Sequence, residues 1–367
     1  MRKIKVLVVD DSVVVRKIVS DTLSKDAEIH VAGVAANGSI ALQKIPQVSP
    51  DVITLDIEMP GMDGLETLTE IRKKYPFLPV IMFSALTERG ASSTLEALAL
   101  GATDYVTKPA NVGSVAIAMQ KISDELIPKI KIFCAKAAGL EPSPLIPKKL
   151  KQPIPAIRKA VPKKRIINQR IDIVAIGVST GGPNALAELI PVLQNDFPVP
   201  VVIVQHMPPL FTKLLADRLN AKSPLRVAEA QHGKIVKPGH IYLAPGDHHM
   251  FLHQEDGVVK TMLNQGPHIN SCRPSVDVLF QSLVGIYETN ILAIILTGMG
   301  QDGLTGCESL YNIGGAIIVQ DEASSVVWGM PGFVAKANLA DKILPLKEIA
   351  PEIIKMISTG RVNAFSA

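Results

Sequence analysis

Apolar and polar positions alternate in blocks along the first 125 residues. Short apolar runs, 5-KVLVV, 52-VITL, 80-VIMF and 104-DYVT, are separated by longer segments with helical spacing. In 64-GLETLTEIRKKY, the apolar positions Leu65, Leu68 and Ile71 share one helical face ahead of a basic end. Apolar strands alternating with helices predict a parallel, doubly wound sheet. The pattern returns from residue 171, where 171-IDIVAIG, 199-VPVVIVQ, 241-IYLAP, 291-ILAIIL and 315-GAIIVQ predict a second, larger α/β domain. Between the two lies 141-EPSPLIPKKLKQPIPAIRKAVPKKRI, which has little apolar periodicity. Its prolines and lysines predict an extended, fairly stiff tether. The expected division is a first domain over 1–125, a helix end and linker over 126–169, and a second domain over 170–367.

Charge sharpens this division. Residues 1–125 carry 13 basic and 16 acidic side chains, and residues 172–367 carry 13 and 17. Residues 126–171 carry 12 basic and one acidic, so the chain's net charge of +4 comes from the linker. Neither flank has the basic excess of a nucleic-acid-binding domain, so no nucleic-acid partner is expected. The three cysteines, Cys134, Cys272 and Cys307, are far apart and form no CxxC. They fit a reducing compartment better than a disulfide framework. The apolar run near the N-terminus is cut by Asp10-Asp11, too early for a signal peptide. No stretch reaches the roughly 18 apolar residues of a membrane span. A cytoplasmic protein, not inserted in a membrane, is expected.

The first domain gathers acids at predicted strand ends. Asp10 and Asp11 follow the first run, Asp56 the second, Ser84 the third, and Lys108-Pro109 the fourth. Doubly wound sheets bring such positions to one rim. Clustered carboxylates repel unless neutralised, and a hard cation such as Mg2+ takes oxygen ligands. An aspartate beside it can accept a phosphoryl group, with Ser84 and Lys108 contacting the phosphoryl oxygens. A cis peptide at Pro109 would aim Lys108. Taken singly, each residue could be a helix cap or a turn; five on successive strand ends point to a site.

The motifs 9-VDDS, 56-DIEMPGMDGLE, 84-SA and 107-TKP resemble the receiver domain of two-component response regulators. The resemblance implies a flavodoxin-like fold and Asp56 as the phosphorylated residue. It further implies Asp11 as a direct Mg2+ ligand, Asp10 acting through water, and the Glu58 carbonyl facing the metal. Ser84 and Tyr105 would form the pair that shifts on phosphorylation.

The second domain places 177-GVSTG after its first strand, a G-x-S-x-G match that could be only a glycine-rich turn. His206 leaves the next strand in 205-QHMPPLF, and Asp302 follows a third in 297-TGMGQDG. Asp302 orienting His206, and His206 taking the Ser179 proton, would make an acyl-transfer site, with glycine-turn N–H groups holding the oxyanion. The order serine, histidine, aspartate differs from that of the α/β-hydrolases. A rival exists: Gly298, Gly300 and Gly303 also fit the dinucleotide fingerprint, with Asp321 at the distance of a ribose-binding acid. It lies late in its domain and leaves Ser179, His206 and Asp302 without a role. His248, His249 and His253 read as loop histidines rather than a metal site. Cys272 reads as a packed thiol, and Arg273 as a candidate contact for an acidic product or substrate segment.

The motifs 176-IGVSTGGPNAL, 205-QHMPP, 244-APGDHHM, 273-RPSVDVLF, 297-TGMGQDG and 328-WGMPG resemble the chemotaxis protein-glutamate methylesterase (CheB-type) family. Receiver, linker and esterase occur in that order there, so the resemblance spans nearly the whole chain. It implies a Rossmann-like esterase domain with Ser179 as nucleophile, His206 as base and Asp302 as its partner. Met299 would contribute to the oxyanion hole, with Thr180 beside the nucleophile. The implied reaction is hydrolysis of glutamate γ-methyl esters, and deamidation of certain glutamines, on chemoreceptors. Mg2+ would serve the receiver, and the esterase step would need no cofactor. A chemotaxis histidine kinase would phosphorylate Asp56 and relieve a receiver that covers the Ser179 cleft. A non-catalytic binding module in place of the esterase is the alternative that a Ser179→Ala variant separates.

Overall fold

The structure is a computed structural model that describes residues 2–108, 115–138 and 170–365. The basic tether and the peptide bond at Pro109 lie outside the described residues. The chain divides into two compact units, Met1–Pro153 and Ile154–Ala367.

The first unit runs β1 (Ile4–Val9), α1 (Val13–Leu23), β2 (Ile29–Ala35), α2 (Gly38–Val48) and β3 (Val52–Asp56). It continues with α3 (Gly64–Lys74), β4 (Val80–Ser84), α4 (Glu88–Ala99), β5 (Asp104–Thr107) and α5 (Val115–Ala138). The sheet is parallel, in the order β2-β1-β3-β4-β5. Residues of β1, β3 and β4 are buried on both faces, which their unbroken apolar runs require. Edge strand β2 is half exposed and reads IHVAGVA, so it carries a weaker apolar signal. Its pairing with β1 also shifts register between Val6 and Leu7. Helix α3 starts at a capping box, with the Asp63 carboxylate accepting from Glu66 N–H and Glu66 reaching back to Asp63 N–H. Helix α5 runs past residue 125. Its Leu126, Ile130 and Cys134 recur at four-residue steps and pack into the core with Val6, Val8, Ile81 and Phe83.

The second unit begins with β6 (Ile173–Val178), α6 (Gly182–Leu189), β7 (Val201–Gln205), α7 (Phe211–Asn220), β8 (Arg226–Glu229), β9 (Lys234–Ile235) and β10 (His240–Leu243). Then come β11 (His249–Glu255), β12 (Val258–Asn264), α8 (Val276–Tyr287), β13 (Ile291–Ile295) and α9 (Leu304–Ile313). It closes with β14 (Ala316–Gln320), α10 (Met330–Lys336), β15 (Lys342–Leu344) and α11 (Leu346–Phe365). Seven strands form a parallel sheet in the order β15-β14-β13-β6-β7-β10-β8. Strands β11, β12 and β9 form a separate antiparallel sheet. The strands that sequence pattern leaves unmarked, β8, β9, β11, β12 and β15, are short, at a sheet edge, or half exposed.

Strand β6 is the pivot. The chain moves outward from it to β7 on one side and later returns to β13 on the other. This is a topological switch point, where a crevice opens beyond the carboxyl ends of the strands. Strand β13 pairs with β6 through Ile295 and Gly177, and β7 pairs through Gln205 and Val178. The residues that follow these three strands therefore meet at one rim.

Candidate active site and phosphorylation pocket

In the first unit, Asp10, Asp11 and Asp56 each offer an oxygen, all within 4.8 Å of one another. Asp10 and Asp56 are buried and Asp11 is exposed. Lys108 Nζ lies 3.1 Å from Asp10 Oδ2 and 2.7 Å from Asp56 Oδ2. Burial pushes Asp56 up to about 6, aided by the Asp10 charge and opposed by Lys108. Asp10 is raised for the same reason. One ammonium faces three carboxylates here, so the pocket retains negative charge. An all-oxygen set of this kind fits a hard divalent cation such as Mg2+. Glu58 N–H points to Asp56 Oδ1 at 3.4 Å, and its carboxylate lies 3.9 Å from Arg89.

Ser84 and Tyr105 occupy β4 and β5. Ser84 Oγ donates to the Gly90 carbonyl at 3.0 Å and accepts from Thr94 Oγ1 at 2.6 Å. Thr94, on α4, thus holds Ser84, a contact with no signal in local sequence. Tyr105 is buried, with the Lys129 ammonium 5.4 Å from its ring centre.

In the second unit, Ser179 sits directly after β6. Its N–H donates to the Thr297 carbonyl at 3.0 Å. Its carbonyl accepts from Gly182 N–H at 2.8 Å and from Gln205 Nε2 at 2.9 Å. The turn is therefore pinned by both neighbouring strands. Gly298 approaches so closely that a Cβ there would lie 2.8 Å from Ser179 Cβ. This close approach, rather than a cofactor, accounts for the first glycine of the dinucleotide-like fingerprint. Asp321 is engaged in its own loop, accepting from Ser324 N–H at 3.0 Å.

His206 and Asp302 meet across the rim, with Nε2 2.8 Å from Oδ2. Asp302 is buried and accepts from Ser275 Oγ (2.8 Å), Val276 N–H (2.6 Å) and Asn270 Nδ2 (3.0 Å). Burial alone would raise its pKa, but the His206 bond, Asn270 and Val276 hold it down at about 2. For His206, burial works toward the neutral form. Contact with the Cys272 sulfur and with the Asp302 carboxylate outweighs it and pushes the imidazole up to about 10. No hydrogen bond joins Ser179 Oγ to His206 in this arrangement; catalytic hydrogen bonds often tighten only with substrate bound. The Met299 N–H has no partner among the described residues, while Gly298 N–H is spent on Val327 at 3.0 Å. Thr180 is buried, and its carbonyl accepts from Thr297 Oγ1 at 2.9 Å.

Three expectations need correction. Cys272 is not merely packed: its Sγ lies 3.6 Å from His206 Nδ1, a neighbour 66 positions away in sequence. Arg273 is not free for a ligand, because its guanidinium pairs with Asp247 at 2.5 Å and donates to the Gly266 carbonyl at 2.8 Å. His249 and His253 are not loop residues: both lie on β11, and His249 is buried with Nε2 2.9 Å from the Pro267 carbonyl. Asn270, which holds Asp302, lies in no motif read from the sequence, and Ser275 lies within 273-RPSVDVLF without any local sign of its bond to Asp302.

Fold and rim together define a hydrolase of the parallel α/β class that carries its own receiver domain. Residues 174–353 match the CheB methylesterase family and residues 6–120 the response regulator receiver domain. A protein-glutamate methylesterase/protein-glutamine glutaminase from Trichodesmium erythraeum is 52% identical, over 97% of this chain and all of that one. One of the same name from Thermotoga maritima is 42% identical over 97% of this chain and 99% of its own. The crystal structure of the Thermotoga maritima CheB methylesterase catalytic domain matches with TM-score 0.50 and 45% identity, covering 51% of this chain and 98% of that one. The chain belongs to the CheB methylesterase family, and it is an ester hydrolase of the protein-glutamate methylesterase/protein-glutamine glutaminase type. Among the described residues no helix is long and apolar enough to cross a membrane.

Proposed function

We propose that this protein hydrolyses glutamate γ-methyl esters on chemoreceptors through Ser179, His206 and Asp302, under control of phosphorylation at Asp56. The observation that carries this reading is the 2.8 Å contact between His206 and Asp302 at the rim where β6 presents Ser179. With Nε2 committed to Asp302, Nδ1 would receive the Ser179 proton once it leaves its 3.6 Å contact with Cys272 Sγ. Ser179 Oγ attacks the ester carbonyl, and the oxyanion takes the unspent N–H of Met299. His206 returns the proton to the leaving methanol. Water, activated by the same imidazole, then releases the glutamate carboxylate. A glutamine substrate follows the same path with loss of ammonia.

In the receiver, Asp10, Asp11 and Asp56, with Glu58 beside them, would hold Mg2+, which supplies charge neutralisation for phosphoryl transfer. Lys108 holds the two buried carboxylates together and would meet a phosphoryl oxygen. Ser84 and Tyr105 would be the residues that respond, Ser84 leaving Thr94 and Gly90 for the phosphoryl group. The donor would be a chemotaxis histidine kinase. The division into 1–125, 126–169 and 170–367 is part of the same proposal.

The test is methanol release from methylated receptor by the full chain, with and without a small phosphoryl donor. The expected result is a faster rate with the donor, no such rise in Asp56→Asn, and no turnover in Ser179→Ala. Turnover that survives in Ser179→Ala would overturn the assignment.

A further inference from the structure

Cys272 has no part in the reaction above, yet it faces the imidazole that does. It closes a tight turn in which Ile269 and Cys272 exchange backbone hydrogen bonds at 3.1 and 2.8 Å. The two central residues, Asn270 and Ser271, have φ of 51° and 63°. Two such left-handed residues make the turn type common in hairpins, here closed by a single antiparallel bridge between Ile269 and Cys272. The turn sends Asn270 to Asp302 and Cys272 to His206.

One ligand atom from each of His206, Cys272 and Asp302 lies within 4.8 Å of the other two. Around a tetrahedral Zn2+, with Zn–S near 2.3 Å and Zn–N and Zn–O near 2.0 Å, donors stand roughly 3–4 Å apart. Asp302 faces Nε2 and Cys272 faces Nδ1, so one ion closes the trio only when the imidazole turns to aim a single nitrogen between the sulfur and the carboxylate. Sulfur, imidazole and carboxylate together form a borderline-soft set that selects Zn2+ over Mg2+. The receiver pocket has only oxygen donors and the opposite preference. Ser275, Asn270 and Val276 N–H already orient Asp302, as outer hydrogen bonds orient ligating carboxylates. The other cysteines, Cys134 and Cys307, are buried at 1% and 0% exposure and out of reach of an added metal.

We propose that Cys272, His206 and Asp302 form a binding site for a divalent cation of the Zn2+ class, and that its occupation arrests the esterase. Binding breaks the Cys272 S–H bond; the proton goes to solvent and the sulfur lone pair to the metal. The Asp302 oxygen gives up its His206 hydrogen bond to the cation, and a water completes four-fold coordination. Whichever imidazole nitrogen binds the metal, the ring no longer both holds Asp302 and receives the Ser179 proton. The inhibitory half rests on His206 being the base of the proposed reaction; the site itself does not.

The experiment uses the full chain with excess Mg2+ to occupy the receiver pocket. Co2+ serves as the optical probe and Zn2+ as competitor and inhibitor. A thiolate-to-cobalt absorption band is expected in the unmodified protein, displaced by Zn2+ and missing in both Cys272→Ala and Cys272→Ser. Zn2+ should slow methanol release by about tenfold or more, reversibly with a chelator. Each variant, compared with its own metal-free rate, should need about tenfold or more Zn2+ for the same effect. Absence of the band in the unmodified protein, or its persistence in the variants, overturns the site. Zn2+ inhibition equal in all three proteins overturns it too. A Cys272-dependent band without loss of turnover keeps the site and removes His206 from its place as base.

Discussion

His206 Nε2 and Asp302 Oδ2 lie 2.8 Å apart although 96 residues separate them in sequence. Ser275 and Asn270 hold the other oxygen, Oδ1, and Val276 N–H shares Oδ2 with the histidine, so the carboxylate's position does not depend on His206 alone. In the proposed triad, that arrangement would make Asp302 an orienting charge set in a fixed frame.

Asp302→Asn should retain the shape of the site and lose the charge. The new amide would also set N–H against N–H at Val276 or Asn270. Turnover of methylated receptor is expected to fall by roughly 10³–10⁴-fold, as when a triad carboxylate is neutralised. A thermal melt should show a modest accompanying loss of stability. A variant within tenfold of the parent would remove Asp302 from the mechanism.

The raised His206 pKa, about 10, bears on the pH profile. The proposed base must be neutral to accept a proton, so the rate should rise as pH climbs through that value, giving an alkaline-shifted acid limb. The Cys272 sulfur and the Asp302 carboxylate, both in contact with the imidazole, raise it. Removing one by Cys272→Ala should lower the pKa and move the limb to lower pH. The check is kcat/KM against pH in chelator-containing buffer. Coincident limbs would show that Cys272 does not act on His206.

Lys108→Ala should leave Asp10 and Asp56 buried without their ammonium partner. The first unit is expected to lose about 1–3 kcal/mol, the cost of a buried polar group left uncompensated. Added Mg2+ should restore more stability to this variant than to the parent, because it replaces the missing positive charge. Calorimetry with and without Mg2+ measures both. Equal Mg2+ responses would contradict a metal site at Asp10, Asp11 and Asp56.

Gly298→Ala tests the turn that presents Ser179. The added Cβ would lie 2.4 Å from Met330 Sδ and 2.8 Å from Ser179 Cβ. Overpacking of this kind costs about 1–3 kcal/mol. Turnover should fall further than stability does, since the displaced atom carries the proposed nucleophile. A folded variant with parental kcat would mean that this contact is irrelevant to the reaction.

Much of the molecule is legible before any coordinates. The apolar runs that become β1, β3, β4 and β5 are buried on both faces, and such strands announce themselves by composition. Strand β2 and the β11–β12 hairpin do not, because half-exposed strands mix polar and apolar positions. Ser179, His206 and Asp302 are legible because each follows a strand and strand ends share a rim. The bonds made by Asn270, Ser275 and Thr94 are not, even though Ser275 lies within 273-RPSVDVLF, since a hydrogen-bond partner supplied by another loop or helix has no local pattern.

The sequence by itself determined the two α/β units, the acids of the receiver pocket, and the strand ends that carry the serine, histidine and aspartate. Periodicity and strand-end position are local properties, readable along one dimension. Only the tertiary structure decided which nitrogen of His206 faces Asp302, and that Cys272 takes the other. It also committed Arg273 to Asp247 and Ser84 to Thr94. These are side-chain pairings across distant segments, set by how the loops pack over the sheet.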